Sequence, residues 1–192
     1  MGNVIYIYFG ESFFKYKLFY LLMQIVRIRL IEKGHEGCDE APVKILKELR
    51  NFKNLDLDKI NLEEIHVNLD DIEEASHLIF ENGKEIFERN DKAFFIGGDN
   101  SINYSLMKSF DKIVNNSLLI IFDAHTNCGE NEWVRKIVEN GFFGRRIILM
   151  GCRNISEDEM KFINKEEITM IGTDLLREDI NGICDLIMER AR

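Results

Sequence analysis

The stretch Ser117–Asn127, SLLIIFDAHTN, decides the fold. Leu118, Leu119, Ile120, Ile121 and Phe122 form an unbroken apolar run containing two β-branched residues. Such a run reads as a strand buried on both faces, as parallel sheets require. It ends abruptly in Asp123-Ala124-His125-Thr126-Asn127, which places a polar cluster at the strand's C-terminal end. Open parallel sheets hold their ligand sites there. On extended backbone Asp123 and His125 would project to the same side. A carboxylate beside an imidazole suits a borderline divalent ion such as Mn²⁺ or Zn²⁺. For this stretch in isolation, the competing reading of an Asp and a His satisfied by loop hydrogen bonds carries more weight.

A second stretch changes that balance. Lys92–Ser101, KAFFIGGDNS, repeats the construction: an apolar strand over Ala93–Ile96, then Gly97-Gly98-Asp99-Asn100-Ser101. Two buried strands ending this way would line Asn100, Asp123, His125 and Asn127 along one sheet edge. The ordered pair resembles the arginase–agmatinase ureohydrolases, which carry Gly-Gly-Asp-His-Ser after one strand and Asp-Ala-His-x-Asp after the next. Trp133-Val134-Arg135 and Met150-Gly151-Cys152-Arg153 also resemble later family segments. The resemblance covers roughly residues 23–192.

Composition agrees with a folded domain. Hydrophobic residues make up 45% of the 192 and charged ones 31%, as in globular chains of one-domain length. A net charge of −9 argues against nucleic acid, whose readers carry a basic face. The four cysteines lie far apart without C-x-x-C spacing, so a reducing, cytoplasmic setting is expected. Residues 1–22 are rich in aromatics, yet Glu11, Lys15 and Lys17 interrupt them, and no membrane span is expected. Met23 opens the alternating run MQIVRIRL, so synthesis is expected to begin there, with residues 1–22 an upstream extension and 23–192 a single domain.

Along that domain strands and helices alternate. After the first strand, Pro42 opens a helix with Ile45, Leu46 and Leu49 inward. Leu62–Leu69 reads as the second strand, and residues 70–90 as an amphipathic helix with Ile72, Ala75, Ile79, Ile86 and Phe87 inward. A helix over Ser101–Phe110 follows, then one over Trp133–Val138 stopped by Gly141. Arg146–Met150 is the fifth strand, and Ser156 with Glu159 forms a capping box. Glu167–Ile171 is the sixth strand and Leu175–Arg190 a final helix. Alternation of this kind implies a three-layer α/β/α domain around a mostly parallel, doubly wound sheet with right-handed crossovers. The resemblance implies the same arginase-like fold without its last strands, which in the family lie between the third and fourth. The third and fourth strands would then pair directly, in order 2-1-3-4-5-6, or keep open edges. His35 reads as a solvated loop histidine, with a place near a pocket mouth as the alternative.

The resemblance also implies a metal site and shows where this chain departs from it. Active ureohydrolases hold two manganese ions with the His after Gly-Gly-Asp, both Asp and the His of Asp-Ala-His-x-Asp, and two later aspartates. Carried over, Asp123 and His125 are proper ligands, whereas Asn100 stands in place of His and Asn127 in place of Asp. The later Ser-x-Asp-x-Asp segment has no counterpart in these residues. The family's pocket-side His-Gly step reads Gly129-Glu130-Asn131, so Asn131, Trp133 and Cys152 become the candidate pocket residues. One carboxylate facing two divalent cations leaves about three positive charges uncompensated, a repulsion of at least several kcal/mol in a low-dielectric cleft. One manganese ion or none is therefore expected. Without a metal bridge there is no hydroxide nucleophile at neutral pH.

The expected function is that of an arginase-family protein with impaired or absent turnover, binding a small guanidino compound, a second copy of itself or an active paralogue. The alternative is an active hydrolase of guanidino or amidino C–N bonds that completes its site with another chain. Two further readings carry less: a zinc site of Asp123, His125, Cys128 and Cys152, which lacks structural-zinc spacing, and a Cys128–His125 nucleophile pair.

Overall fold

Met23–Ile28 forms β1, flanked in parallel by β2 (Asn61–Ile65) and β3 (Lys92–Gly97). The computed structural model describes residues 23–52, 60–90 and 92–191. The extension over residues 1–22 lies outside them. The chain divides into two compact units, up to Ile113 and from Val114 onward.

In the first unit β1 is the middle strand, which is why Gln24, Ile25, Val26 and Ile28 are all buried. Buried Gln24 is partly satisfied, its side-chain oxygen accepting from Asn90 Nδ2 at 2.6 Å. β2 is an edge strand with Leu62 exposed, and it stops at Ile65, short of the Leu69 that the sequence suggested. The reason is local: Asn68 Oδ1 accepts the Asp70 amide and turns the chain.

Helix α1 (Ala41–Leu49) begins with Pro42 in its first turn and lays Leu46 and Leu49 on Ile25 and Ile60. Helix α2 (Ile72–Arg89) is capped by Asp71, which accepts the Glu74 amide at 2.9 Å. Ala75, Ile79, Ile86 and Phe87 are buried as expected. Ile72 is not: it sits in the first turn and is exposed. Helix α3 (Ser101–Ile113) packs against α2, with Phe87 meeting Phe95 and Phe110 at ring-centroid distances of 5.3 and 5.1 Å.

The second unit holds β4 (Leu119–Phe122), β5 (Ile147–Met150) and β6 (Thr169–Ile171), all parallel, with β5 central and wholly buried. Helices α4 (Trp133–Glu139) and α5 (Glu157–Lys165) bury Val134, Ile137, Phe162 and Ile163. Gly141, at φ 102°, follows the end of α4 and stops it. The sequence suggested one final helix. Two form instead, α6 (Thr173–Glu178) and α7 (Ile180–Arg190). Asp179 separates them, because its carboxylate accepts the Gly182 amide at 2.8 Å and caps α7. Ile183 on α7 packs on Ile148, Met150 and Ile171.

The strand orders are 2-1-3 and 4-5-6. Each is a stretch of the expected order 2-1-3-4-5-6.

Candidate metal-binding and active-site loops

The strand that ends at Phe122 hands the chain to a turn rather than to further extended backbone. Asp123 still donates its amide to Met150 O at 3.2 Å, the last tie to β5. Its carboxylate then organises the turn. Oδ1 accepts the His125 amide at 3.0 Å, and Oδ2 accepts Asn127 Nδ2 at 3.0 Å. Asn127 Nδ2 also donates to His125 O at 3.2 Å, and Asn127 sits at φ 55°, a left-handed conformation that Asn tolerates well.

The two side chains stay neighbours, His125 Nδ1 lying 3.5 Å from Asp123 Oδ1, with the carboxylate 10% and the imidazole 81% exposed. A turn, rather than extended backbone, holds them there.

Beneath the turn lies a polar strut. Buried Thr126 donates its hydroxyl to Glu159 Oε1 in a short hydrogen bond and accepts the Cys128 amide at 3.1 Å. Glu159 is also the capping-box partner of Ser156 in α5, so one carboxylate holds both the helix start and the loop. Burial pushes the Glu159 carboxyl up, but hydrogen bonds from Ser156 and Thr126 outweigh it and hold it below the ordinary carboxylate range. Arg135 on α4 donates to Cys128 O at 2.7 Å and to Asp158 Oδ2 at 2.6 Å, while its guanidinium lies over the Phe162 ring.

Cys128 and Cys152 are buried, and each points its thiol at a carbonyl of the turn, Thr126 O and His125 O, both at 3.4 Å. Burial pushes the Cys128 thiol up to about 12 and, aided by the charge of Asp123, the Cys152 thiol up to about 11. Neither is a thiolate near neutral pH, which removes the Cys128–His125 nucleophile reading. Of the remaining pocket candidates, Asn131 is an exposed turn residue at φ 66°, and Trp133 is buried at the start of α4 with its indole N–H unpaired.

The first unit has a polar loop of its own, after β3. Gly98 lies so close to the chain after β1 that a Cβ there would meet Leu30 O at 2.8 Å and Ile31 Cγ2 at 2.6 Å. Asn100 Oδ1 accepts Asn103 Nδ2 at 3.1 Å. Its neighbour Asp99 is the hub: it accepts the Ser101 amide and hydroxyl, the Glu32 amide at 2.8 Å and His35 Nδ1 at 2.7 Å. His35 is exposed in its loop, as the sequence suggested, but its tie to Asp99 was not foreseen. Its only signal was its place between two glycines directly after the first strand.

Residues 26–192 match the sequence profile of the Arginase family. The chain belongs to the arginase family. Two curated relatives are a protein of Methanothermus fervidus described as "Uncharacterized 32.2 kDa protein in hmfB 3'region", 27% identical over 79% of this chain, and the formimidoylglutamase of Bacillus subtilis (strain 168), 25% identical over 81% of it. This arginase-family chain spans 58% and 55% of their lengths. Among solved structures, the B. subtilis formimidoylglutamase superposes with a TM-score of 0.77 at 21% identity, over 88% of this chain and 61% of its own. A Trypanosoma cruzi formiminoglutamase with Mn²⁺ superposes at 0.72 and 16% identity, over 92% of this chain and 67% of its own. These likenesses establish the arginase fold for the chain.

Manganese bound as a pair does not fit the donors of this arginase-family chain. Among the described residues no three of His, Cys, Asp and Glu converge as an ion would need. Asp123 spends both oxygens on internal donors, and Asn127 turns its N–H groups, not a lone pair, toward that carboxylate. The zinc reading fails on the same grounds, with both thiols held as donors to carbonyls.

Proposed function

We propose that these 192 residues, by themselves, do not turn over guanidino or formimino compounds and hold at most one manganese ion, weakly, through Asp123 and His125. The observation that carries this reading is the Asn127 side chain. It donates to Asp123 Oδ2, so a neutral amide occupies the carboxylate's second oxygen. The amide competes with a cation for that oxygen, and the cation gains only one carboxylate charge there. A hydroxide nucleophile at neutral pH needs stronger metal binding than that donor set supplies.

The reading is tested by urea, ammonia and formamide release from arginine, agmatine and formiminoglutamate with Mn²⁺ present. No product above the metal-only control is expected. Turnover by the 192-residue chain would overturn it.

A second reading has one observation in its favour. The chain is 25% identical to a formimidoylglutamase while spanning 55% of its length. On this reading the residues are part of a hydrolase of C–N bonds in formimino or guanidino compounds, with the remaining metal ligands supplied from outside them. Manganese-dependent activity that appears only when a further polypeptide is added would select it.

A further inference from the structure

The tip of the loop between β1 and α1 is tied mainly to itself, the His35 amide donating to Glu32 O and the Cys38 amide to His35 O, both at 3.1 Å, and the Gly34 amide to Glu36 Oε1 at 3.1 Å. Lys33, Gly34, His35, Glu36 and Gly37 are all exposed. Gly34 and Gly37 lie on either side of His35 at φ 97° and 91°, and a Cβ built on either would touch nothing within 4 Å. Two left-handed glycines in open space are hinge points that packing does not restrain. The loop's base is fixed by Arg29, which donates to Asp39 Oδ2 at 3.0 Å. Its tip is fixed to the rest of the unit by His35 Nδ1, 2.7 Å from Asp99 Oδ2.

Asp99 makes a firm anchor. Its side chain is 11% exposed, against 54% for His35, and it sits in the β3–α3 loop braced by Ser101. Because β1 and β3 are parallel neighbours, both loops emerge at the same sheet end, the end at which such sheets bind ligands. We propose that residues 32–37 form a strap that His35 latches onto Asp99 across the C-terminal end of β1 and β3, and that the strap loosens when His35 loses its proton.

The charges around the latch set its sign. Facing His35 are Asp99 from the β3–α3 loop and Glu32 and Glu36 from its own loop, all negative. The hydrogen bond to Asp99, then the charge of Asp99, raise the His35 pKa above its usual 6.5. Burial pushes the Asp99 carboxyl up, but hydrogen bonds from Ser101, the Glu32 amide and His35 outweigh it and hold it low. A raised imidazole pKa contributes stabilisation that is complete below about 6.5 and is lost as pH rises through the higher, folded value. The latch is therefore strongest in mild acid and weaker on the alkaline side.

The Glu32 amide reports on the latch directly, since it donates to the same Asp99 oxygen as His35. Amide hydrogen exchange of the full chain, corrected for base catalysis and followed with His35 ring NMR from mild acid to mild alkali, tests the proposal. Glu32 protection should fall severalfold in step with His35 deprotonation, while the buried Ile79 amide in α2 stays constant. In His35→Gln the step should vanish with Ile79 unchanged. Flat Glu32 protection through the His35 titration, or a step that persists in His35→Gln, would overturn the proposal. Asp99→Asn is the second variant: His35 should return to an ordinary pKa, and a pKa still raised would also contradict it.

Discussion

Asn127 donates its side-chain N–H to Asp123 Oδ2 across 3.0 Å, closing a turn in which Asp123 Oδ1 already accepts the His125 amide. At the position where the family resemblance implies an anionic metal ligand, this chain has a hydrogen-bond donor. The turn is satisfied by its own groups, and any cation must compete with that arrangement.

Replacing the donor tests this. Asn127→Asp removes the N–H and sets a second carboxylate beside Asp123. Without metal the variant should lose about 1–3 kcal/mol at neutral pH. The close pair raises a folded carboxyl pKa, so that loss should shrink as pH falls and one group protonates. Saturating Mn²⁺ should restore stability in chemical denaturation, and restoration by Mg²⁺ to the same degree would contradict the account.

Glu159 serves helix and loop together, through Ser156 and Thr126. Glu159→Ala should cost about 1–2 kcal/mol, the usual scale for a lost cap. Ser156→Ala breaks only the helix side and should cost less. Equal losses for the two variants in urea denaturation would show that the Thr126 bond adds nothing.

Gly98→Ala puts a methyl 2.8 Å from Leu30 O and 2.6 Å from Ile31 Cγ2. Backbone must shift to admit it, at a cost of about 1–3 kcal/mol. Thermal unfolding checks this. An unchanged midpoint would mean that the β3–α3 loop is looser than its contacts with the β1 loop imply.

Cysteine labelling should sort by burial and thiol pKa. Cys184 is exposed, whereas Cys128 and Cys152 are buried with their thiols pushed up to about 12 and about 11. Iodoacetamide near pH 8 should modify Cys184 first and leave Cys128 and Cys152 until the chain is denatured. Peptide mass spectrometry reads the order directly. Early modification of Cys152 would show that the 123–127 turn opens readily.

Much of this architecture is legible in the sequence, because hydrophobic period carries it. The apolar run at Leu118–Phe122 becomes a strand, the Ser156–Glu159 box caps a helix, and Gly141 stops one. What is not legible follows from local side chains competing with the backbone. Asp179 splits the last helix, Asn68 turns the chain after β2, and Asp123 folds its own loop by accepting the His125 amide. The tie from His35 to Asp99 is not legible because the two lie 64 residues apart, and nothing in the pattern of either segment names the other.

The central claim is that one carboxylate and one imidazole cannot hold a pair of manganese ions. Mn²⁺ titration of the metal-stripped 192-residue chain, read by EPR and native mass spectrometry, tests it most directly. The expected result is one weakly bound ion or none, with no exchange-coupled signal. Two tightly bound, spin-coupled ions per chain would contradict it.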